Sequence, residues 1–413
     1  MNPHAEISAY DRMVWPEGVV EALLASGERR RELSAWFGEA EYASLQKLAV
    51  AAAAVPQDPD RCVYYLPGLM GSQLSRAREH PQPDDLLWMD PCDIQESKLS
   101  LFAIPGEPLR VAGPVPHGYL PLKLALQAAG YTVRCFAYDW RLSIADTGAA
   151  LAARLATETA SEINLIAHSM GGLLGRVALQ TAAGQRVKQL ITLGVPHGGS
   201  FAPVQAVRGS YPLVRRLSQL DPRQDAETLA REVFSSFHSL YQMLPRDGSP
   251  DLLNQRNWPS TGPQPNATLL DRVKFLQLGG HDARITAIAG YGFQTVDRVA
   301  QVEGEFYYRY SYAGDGTVPA SRAVLPGAPS WYCNAAHNEL TRSTTVHAAL
   351  LAILAGRTPQ LLSAPPPLRD SLSSVAESDL RRQLNEKIDW NRLDTPQRRA
   401  FLDSLNRAPP AAP

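Results

Sequence analysis

Asn164 to Arg176 reads NLIAHSMGGLLGR, and no other stretch constrains the chain as much. An apolar run, Ile163 to Ala167, enters a turn at His168, Ser169 and Met170. Gly171 and Gly172 follow, then a helical pattern with Leu173, Leu174, Val177 and Ala178 on one face. This is the strand, sharp turn and helix of a nucleophile elbow, which presents a serine hydroxyl at the top of a sheet. Ala167 replaces the first glycine of the usual G-x-S-x-G, so the match is A-x-S-x-G. The turn is strained, and a large side chain two places either side of the serine would strike the opposing strand or helix. Gly171, Gly172 and Gly175 each cost a helix about 1 kcal/mol against alanine, which makes sense if the helix must lie close to the sheet. A chance serine in a βα turn is the alternative, and the strand and helix context favours the nucleophile.

The 413 residues exceed what one compact core usually holds, so one large domain with additions is expected. Lys plus Arg is 40 and Asp plus Glu is 41, for a net charge of −1, which argues against an electrostatic nucleic-acid partner. Of the four cysteines, Cys62 and Cys135 lie in strand-like runs, where cysteine acts as a small hydrophobe. No C-x-x-C pair occurs, and neither a metal nor a cofactor is expected. The start, MNPHAEISAYDRMVW, lacks the basic and apolar parts of a signal peptide. No run is long enough for a transmembrane segment, so a cytoplasmic protein is the expectation.

Residues 1–58 read as a helical lead-in, with Glu39 to Ala54 as one helix. The main domain, 59–364, opens at RCVYYLPGLMGS, where Val63 to Leu66 is a buried strand and Pro67 to Gly71 turns sharply away. Hydrolases with this elbow take one oxyanion-hole N–H from that loop, which nominates Leu69. Residues of about 73–116 form a long, Pro-rich, irregular stretch, read as a lid insertion. Its apolar residues, including Trp88 and Phe102, suggest contact with a lipid interface. Asp139 and Arg141 of YDWRLS (Tyr138 to Ser143) are read as a structural ion pair. Helical patterns at His117 to Ala129 and Thr147 to Thr159 alternate with strand patterns at Tyr131 to Ala137, the elbow strand and Val187 to Leu193. This implies an α/β fold with a mostly parallel central sheet covered by helices.

The alternation breaks over about 201–283, read as a cap insertion with a helical stretch at Thr228 to Leu244. Strand pattern resumes at Arg284 to Ala289 and at the aromatic run Glu305 to Tyr312. Asp315 then sits between two glycines in AGDGTVP, a loop tight enough to aim a carboxylate inward, though locally an ordinary turn aspartate is the simpler reading. Ser330 to Ala335 is a last short strand, and His337 follows it. The order Ser169, Asp315, His337 is the nucleophile, acid, base order of the α/β-hydrolase fold. His347 competes for the role of base. It falls inside the helix Thr341 to Ala355, however, whereas the loop position of His337 lets its ring reach both Ser169 and Asp315. His197, at the end of a neighbouring strand, is read as lining the site. Residues 365–413 start with a Pro-rich linker and carry an approximate helical stripe, Leu368, Leu372, Val375, Leu380, Leu384 and Ile388. Packing on the domain is the simplest reading of this tail, ahead of a membrane contact or a protein-interaction element, and the Pro-rich linker suggests a module separable from catalysis.

Several motifs taken in order carry a resemblance. They are LPGLMGSQL (Leu66 to Leu74), Trp88-Met89, YDWRLS, AHSMGG, GVPHGGS (Gly194 to Ser200), FHSLYQMLP (Phe237 to Pro245), GDGTVP and the His337 region. Together they resemble the lecithin:cholesterol acyltransferase family, with its related phospholipases A2 and phospholipid:diacylglycerol acyltransferases, over about 61–352. The resemblance implies an α/β-hydrolase core with lid and cap. It carries over Ser169 as nucleophile, Asp315 as acid and His337 as base, with Leu69 and Met170 at the oxyanion hole. Trp88 and His197 are the substrate-binding candidates. The implied activity is a serine-dependent lipid acyl hydrolase or O-acyltransferase. It acts on a lipid ester at a membrane or micelle surface and passes the acyl group to water or a lipid hydroxyl. Many relatives are secreted or lumenal with lid disulfides, and this chain shows neither feature. The alternative is a catalytically silent lipid- or protein-binding module, against which stands the presence of every triad residue.

Overall fold

The computed structural model describes residues 18–79, 82, 84–367, 374–382 and 386–405. Among the described residues three N-terminal helices come first: α1 (Val19–Ser26), α2 (Arg30–Phe37) and α3 (Glu39–Ala53). Their buried Leu24, Leu33, Phe37 and Leu45 share an apolar cluster with Leu120 and Leu124 of α4 (Pro116–Ala128), so the lead-in is packed on the domain.

The main domain runs through β1 (Asp58–Leu66), β2 (Ser72–Arg76), β3 (Asp85–Trp88), β4 (Arg110–Pro114), α4, β5 (Tyr131–Cys135), α5 (Ile144–Ala156), β6 (Glu162–His168), α6 (Gly171–Leu179) and β7 (Val187–Leu193). A cap of short helices follows, among them α7 (Pro212–Leu220). Then come β8 (Ile285–Gly290), β9 (Thr295–Val302), β10 (Glu305–Ser311), β11 (Ser330–Cys333) and α8 (Thr344–Leu354). Six strands form the central sheet in the order β11-β8-β7-β6-β1-β5, and all neighbouring pairs are parallel. Such strands are covered on both faces and therefore read as continuous apolar runs. Val63 to Leu66 and Leu165 to Ala167 are accordingly no more than 1% exposed.

From β1 the chain steps out to β5 at one edge and then returns to β6 on the other side of β1. The crevice at the C-terminal ends of β1 and β6 is therefore where the strand order reverses, and open α/β sheets bind their ligands at such a point. Leu66 is paired with Ala167, and His168 with Leu193, so the loops after β1, β6 and β7 emerge side by side. Among the described residues no helix is long and apolar enough to cross a membrane.

Four stretches take forms that the sequence pattern does not show. The stretch 73–116 is ordered by an antiparallel sheet, β3-β2-β4. Its aromatic residues face inward: Phe102 is 2% exposed and stacks on Trp140 at 5.8 Å, and Trp88 is 5% exposed with its ring 5.5 Å from that of Trp140. They anchor the insertion to the core and do not form an interfacial surface. The stretch Thr228 to Leu244 is broken into Ala226–Glu232, a 3-10 turn Phe234–Ser236 and His238–Gln242. The aromatic strand β10 lies outside the central sheet, between β9 and β12 (Ser374–Ala376) of the tail. The tail itself completes the core. Glu377 pairs with Arg208 at 2.8 Å, both side chains 2% exposed. Arg208 also donates to the carbonyls of Pro259, Thr261 and Pro263, so cap and tail meet at one guanidinium. Trp390 is fully buried against Phe401 of α9 (Thr395–Leu405). Leu368, Leu372 and Leu384 of the expected stripe lie outside the described residues.

Glu377→Ala strands a buried guanidinium, and breaking a buried pair costs about 3–5 kcal/mol. The urea midpoint, followed by tryptophan fluorescence, should fall to match, and a chain ended at Ala364 should fail to fold. An unchanged midpoint would show that the pair contributes nothing.

Candidate active site

Ser169 takes the turn after β6 with φ 52°. That left-handed conformation costs a non-glycine residue about 1–2 kcal/mol. Its N–H donates to the Leu193 carbonyl at 2.9 Å, which fixes the turn against β7. Close approach of backbone does the rest. A Cβ on Gly171 would lie 2.5 Å from the carbonyl oxygens of Leu66 and Pro67, and one on Gly172 2.2 Å from Val195. One on Gly68 would lie 2.8 Å from the Ser169 Cβ. The loop after β1, the elbow and α6 are thus in direct contact, as the small residues of the sequence require.

The structure brings the three expected residues together. His337, in a short 3-10 turn after β11, has Nε2 2.8 Å from Ser169 Oγ and Nδ1 2.7 Å from Asp315 Oδ2. Oδ1 of Asp315 accepts from the N–H groups of Thr317 at 2.9 Å and Val318 at 2.7 Å. Exposures are 8% for Ser169, 1% for Asp315 and 8% for His337. Gly194 makes room for the pair, since a Cβ there would lie 2.8 Å from Asp315 Oδ2. In this geometry Nε2 can take the serine proton while Nδ1–H stays bonded to the carboxylate. His347, in α8, donates from Nε2 to the Thr341 carbonyl at 2.8 Å and is held on the helix wall.

Leu69 follows Gly68 directly, and Met170 follows Ser169 at the start of α6, where helix N–H groups favour negative charge. Their backbone N–H groups make no hydrogen bond within the protein among the described residues. The loop carrying Leu69 is pinned twice: Trp88 Nε1–H donates to the Met70 carbonyl at 2.7 Å, and Gly68 N–H donates to the Tyr119 hydroxyl at 2.8 Å. Over Ser169 and His337 opens a cavity of about 170 Å³ with apolar walls that include Trp88, Val115, Leu213, Phe234 and Leu405. Trp88 is on this wall. His197 is not, although its neighbour Pro196 is. Instead its Nε2 meets Thr192 Oγ1 at 3.2 Å and its Nδ1 faces Arg176 Nη1 at 3.4 Å.

His168, beside Ser169 in the turn, has a part that no sequence motif marks. The Tyr119 hydroxyl, which accepts from Gly68 N–H, donates to His168 Nδ1 at 2.9 Å, and His168 Nε2–H donates to the His337 carbonyl at 2.9 Å. A backbone N–H at one end and a carbonyl at the other force every proton into place. One line of hydrogen bonds therefore joins the Leu69 loop to the backbone of His337. Burial, and then the neighbouring His337, push the pKa of His168 down to about 3. No local motif marks Tyr119, because the link spans four separate segments.

A parallel sheet with this elbow, and with acid and base delivered by later loops, is the α/β-hydrolase fold. The chain belongs to the lecithin:cholesterol acyltransferase family, whose model matches residues 124–342, more than half of its length. Among solved structures, the mature Bacillus licheniformis lipase BlEst2 is similar at 15% identity over 72% of this chain and 94% of its own, with a TM-score of 0.39. The Tle4–Tli4 complex is similar at 13% identity over 71% and 98%, with a TM-score of 0.45. The metagenomic carboxyl esterase MGS0156 is similar at 13% over 85% and 76%, with a TM-score of 0.34. No curated protein matches significantly.

His168 is neutral in the fold and titrates near 6.5 when unfolded. The stability this involves is fully present above about pH 6.5 and is lost as pH falls toward 3. At pH 5 the loss is about 2 kcal/mol. His168→Asn should flatten that part of the unfolding free energy measured between pH 7.5 and 5. A slope equal to the wild type would mean that His168 titrates normally.

Proposed function

We propose that the protein is a serine-dependent lipid acyl hydrolase or O-acyltransferase that works through a Ser169 acyl-enzyme. The observation that carries this reading is the continuous chain Ser169 Oγ, His337, Asp315, opening into an apolar cavity. His337 takes the serine proton as Ser169 attacks the ester carbonyl. Asp315 keeps the imidazole in the right tautomer and stabilises the imidazolium. The N–H groups of Leu69 and Met170 receive the oxyanion, a contribution of about 3 kcal/mol for each donor in comparable sites. His337 then returns the proton to the leaving alcohol, and the acyl group passes to water or to a lipid hydroxyl. The apolar wall suits the acyl chain of a phospholipid or acylglycerol presented at a membrane or micelle surface.

Two measurements test the chemistry. A fluorophosphonate probe should label Ser169 in the wild type and fail to label Ser169→Ala; equal labelling would remove the assignment. His337→Ala should lower turnover by roughly 10⁴-fold at matched thermal stability, and His347→Ala by far less. The reverse ranking would move the base to His347. The fate of the acyl group is read by incubation with mixed phospholipid vesicles and a long-chain alcohol. Mass spectrometry then separates released fatty acid from the alkyl ester.

A further inference from the structure

Cap and tail enclose a second cavity, of about 260 Å³, on the other side of α7. Leu213 and Val214 of that helix line the catalytic cavity, whereas Arg215 and Gln219 line this one. Arg215 is 4% exposed, and its Nε and Nη1 meet no acceptor. Arg381, also on the wall, has a buried Nε without one. The two carboxylates of the wall already have partners: Asp225 accepts from the Thr228 N–H at 2.8 Å, and Glu227 pairs at 3.2 Å with Arg381, whose Nη2 also donates to Glu377 and the Arg208 carbonyl. The Lys387 ammonium is spent on the carbonyls of Ser218, Asp221 and Gln224, so it adds charge but no free donor. Burial, and then the charge of Arg381, push the pKa of Arg215 down to about 10, which leaves it cationic at neutral pH. Buried charge without a partner is costly, and native folds leave few buried donors unmet. A guanidinium fork has the geometry of an oxyanion, and two such groups suit a divalent one.

We propose that this cavity binds the oxyanion of a phosphate or phosphate monoester, held by Arg215 with Arg381 beside it, apart from the catalytic cavity. The same chemistry could arrive as a free anion or as the phosphoryl group of a lipid, and the test has an arm for each. Thermal unfolding is followed in millimolar inorganic phosphate against chloride of equal ionic strength. Phosphate should raise the melting temperature of the wild type by several degrees and leave that of Arg215→Met unmoved. Removing the unmet donors means that Arg215→Met should melt no lower than the wild type when phosphate is absent. Glu227→Gln, at the more exposed end of its ion pair, frees Nη1 of Arg381, while Nη2 stays on Glu377 and the Arg208 carbonyl. It should tighten phosphate binding several-fold by calorimetry, which keeps the proposal open to test if the Met variant fails to fold. Glycerol phosphate and monomeric short-chain phosphatidic acid are titrated in parallel, each also against Arg215→Met. Arg215-dependent binding of the first assigns a free anion, and of the second alone a lipid phosphate. Absence of binding by all three ligands, an equal shift in Arg215→Met, or an affinity unchanged in Glu227→Gln would overturn the site.

Discussion

The contact between three pieces of backbone holds everything else in place: the loop after β1, the turn at Ser169 and the first residues of α6. A Cβ at Gly171 would sit 2.5 Å from two carbonyl oxygens of that loop, so the helix can start there only without a side chain. Ser169 pays for its positive φ with strain, and such strain persists only where the surroundings over-determine it. Here they do. Ala167 is paired on both sides, to Leu66 and to Thr192, and the Ser169 N–H is bonded to Leu193. The packing that strains the serine also brings the loop after β1 against it, with a Cβ on Gly68 2.8 Å from the Ser169 Cβ, so the serine and that loop are placed by one event.

Asp315 and His337 are then held relative to that centre by backbone as well as by side chains. The His337 N–H donates to the Asp315 carbonyl at 2.8 Å, and its own carbonyl accepts from His168. The imidazole is thus fixed at the peptides on both sides as well as at both ring nitrogens. Donors and acceptors set before the substrate arrives need no reorganisation during reaction, and this is where electrostatic stabilisation is most effective. His168 serves because burial keeps it neutral: a protonated ring could not accept from Tyr119.

What was legible in the sequence follows the same division. The elbow, the Leu69 loop and the Asp315 loop are written in short runs of glycine beside a polar residue, because each needs a close approach that only local sequence can supply. The parallel strands are legible because burial on both faces leaves a continuous apolar run. The sheet β3-β2-β4 was hidden because its strands are short and interrupted by prolines and turns, with register set by partners far along the chain. In the tail, Val375 was read as one point of a helical stripe, but it pairs with Tyr308 in a three-residue strand too short to show a period. His197 was misplaced because strand-end position fixes where a backbone leaves the sheet, not which way a ring turns. Here the ring turns to Thr192 and Arg176.

The walls of the catalytic cavity come from the parts that were hardest to read. Leu213 belongs to the cap, Leu405 to the last described turn of the tail, and the two helices are joined beside the cavity by Arg216 Nη1 donating to Ser404 Oγ at 2.7 Å. Leu405 reaches that wall only because the tail is anchored upstream, by Glu377 on Arg208, by Lys387 on the end of α7 and by the buried Trp390. Ser169 and His337, by contrast, sit in loops that follow strands of the central sheet, and Asp315 in the loop between β10 and β11. Chemistry and shape thus rest on different segments with different anchors. Neither Leu213 nor Leu405 takes part in the hydrogen bonds that join Ser169, His337 and Asp315. The shape of the cavity can therefore change in cap and tail while the elbow, where a Cβ on Gly171 would lie 2.5 Å from two carbonyl oxygens, stays fixed.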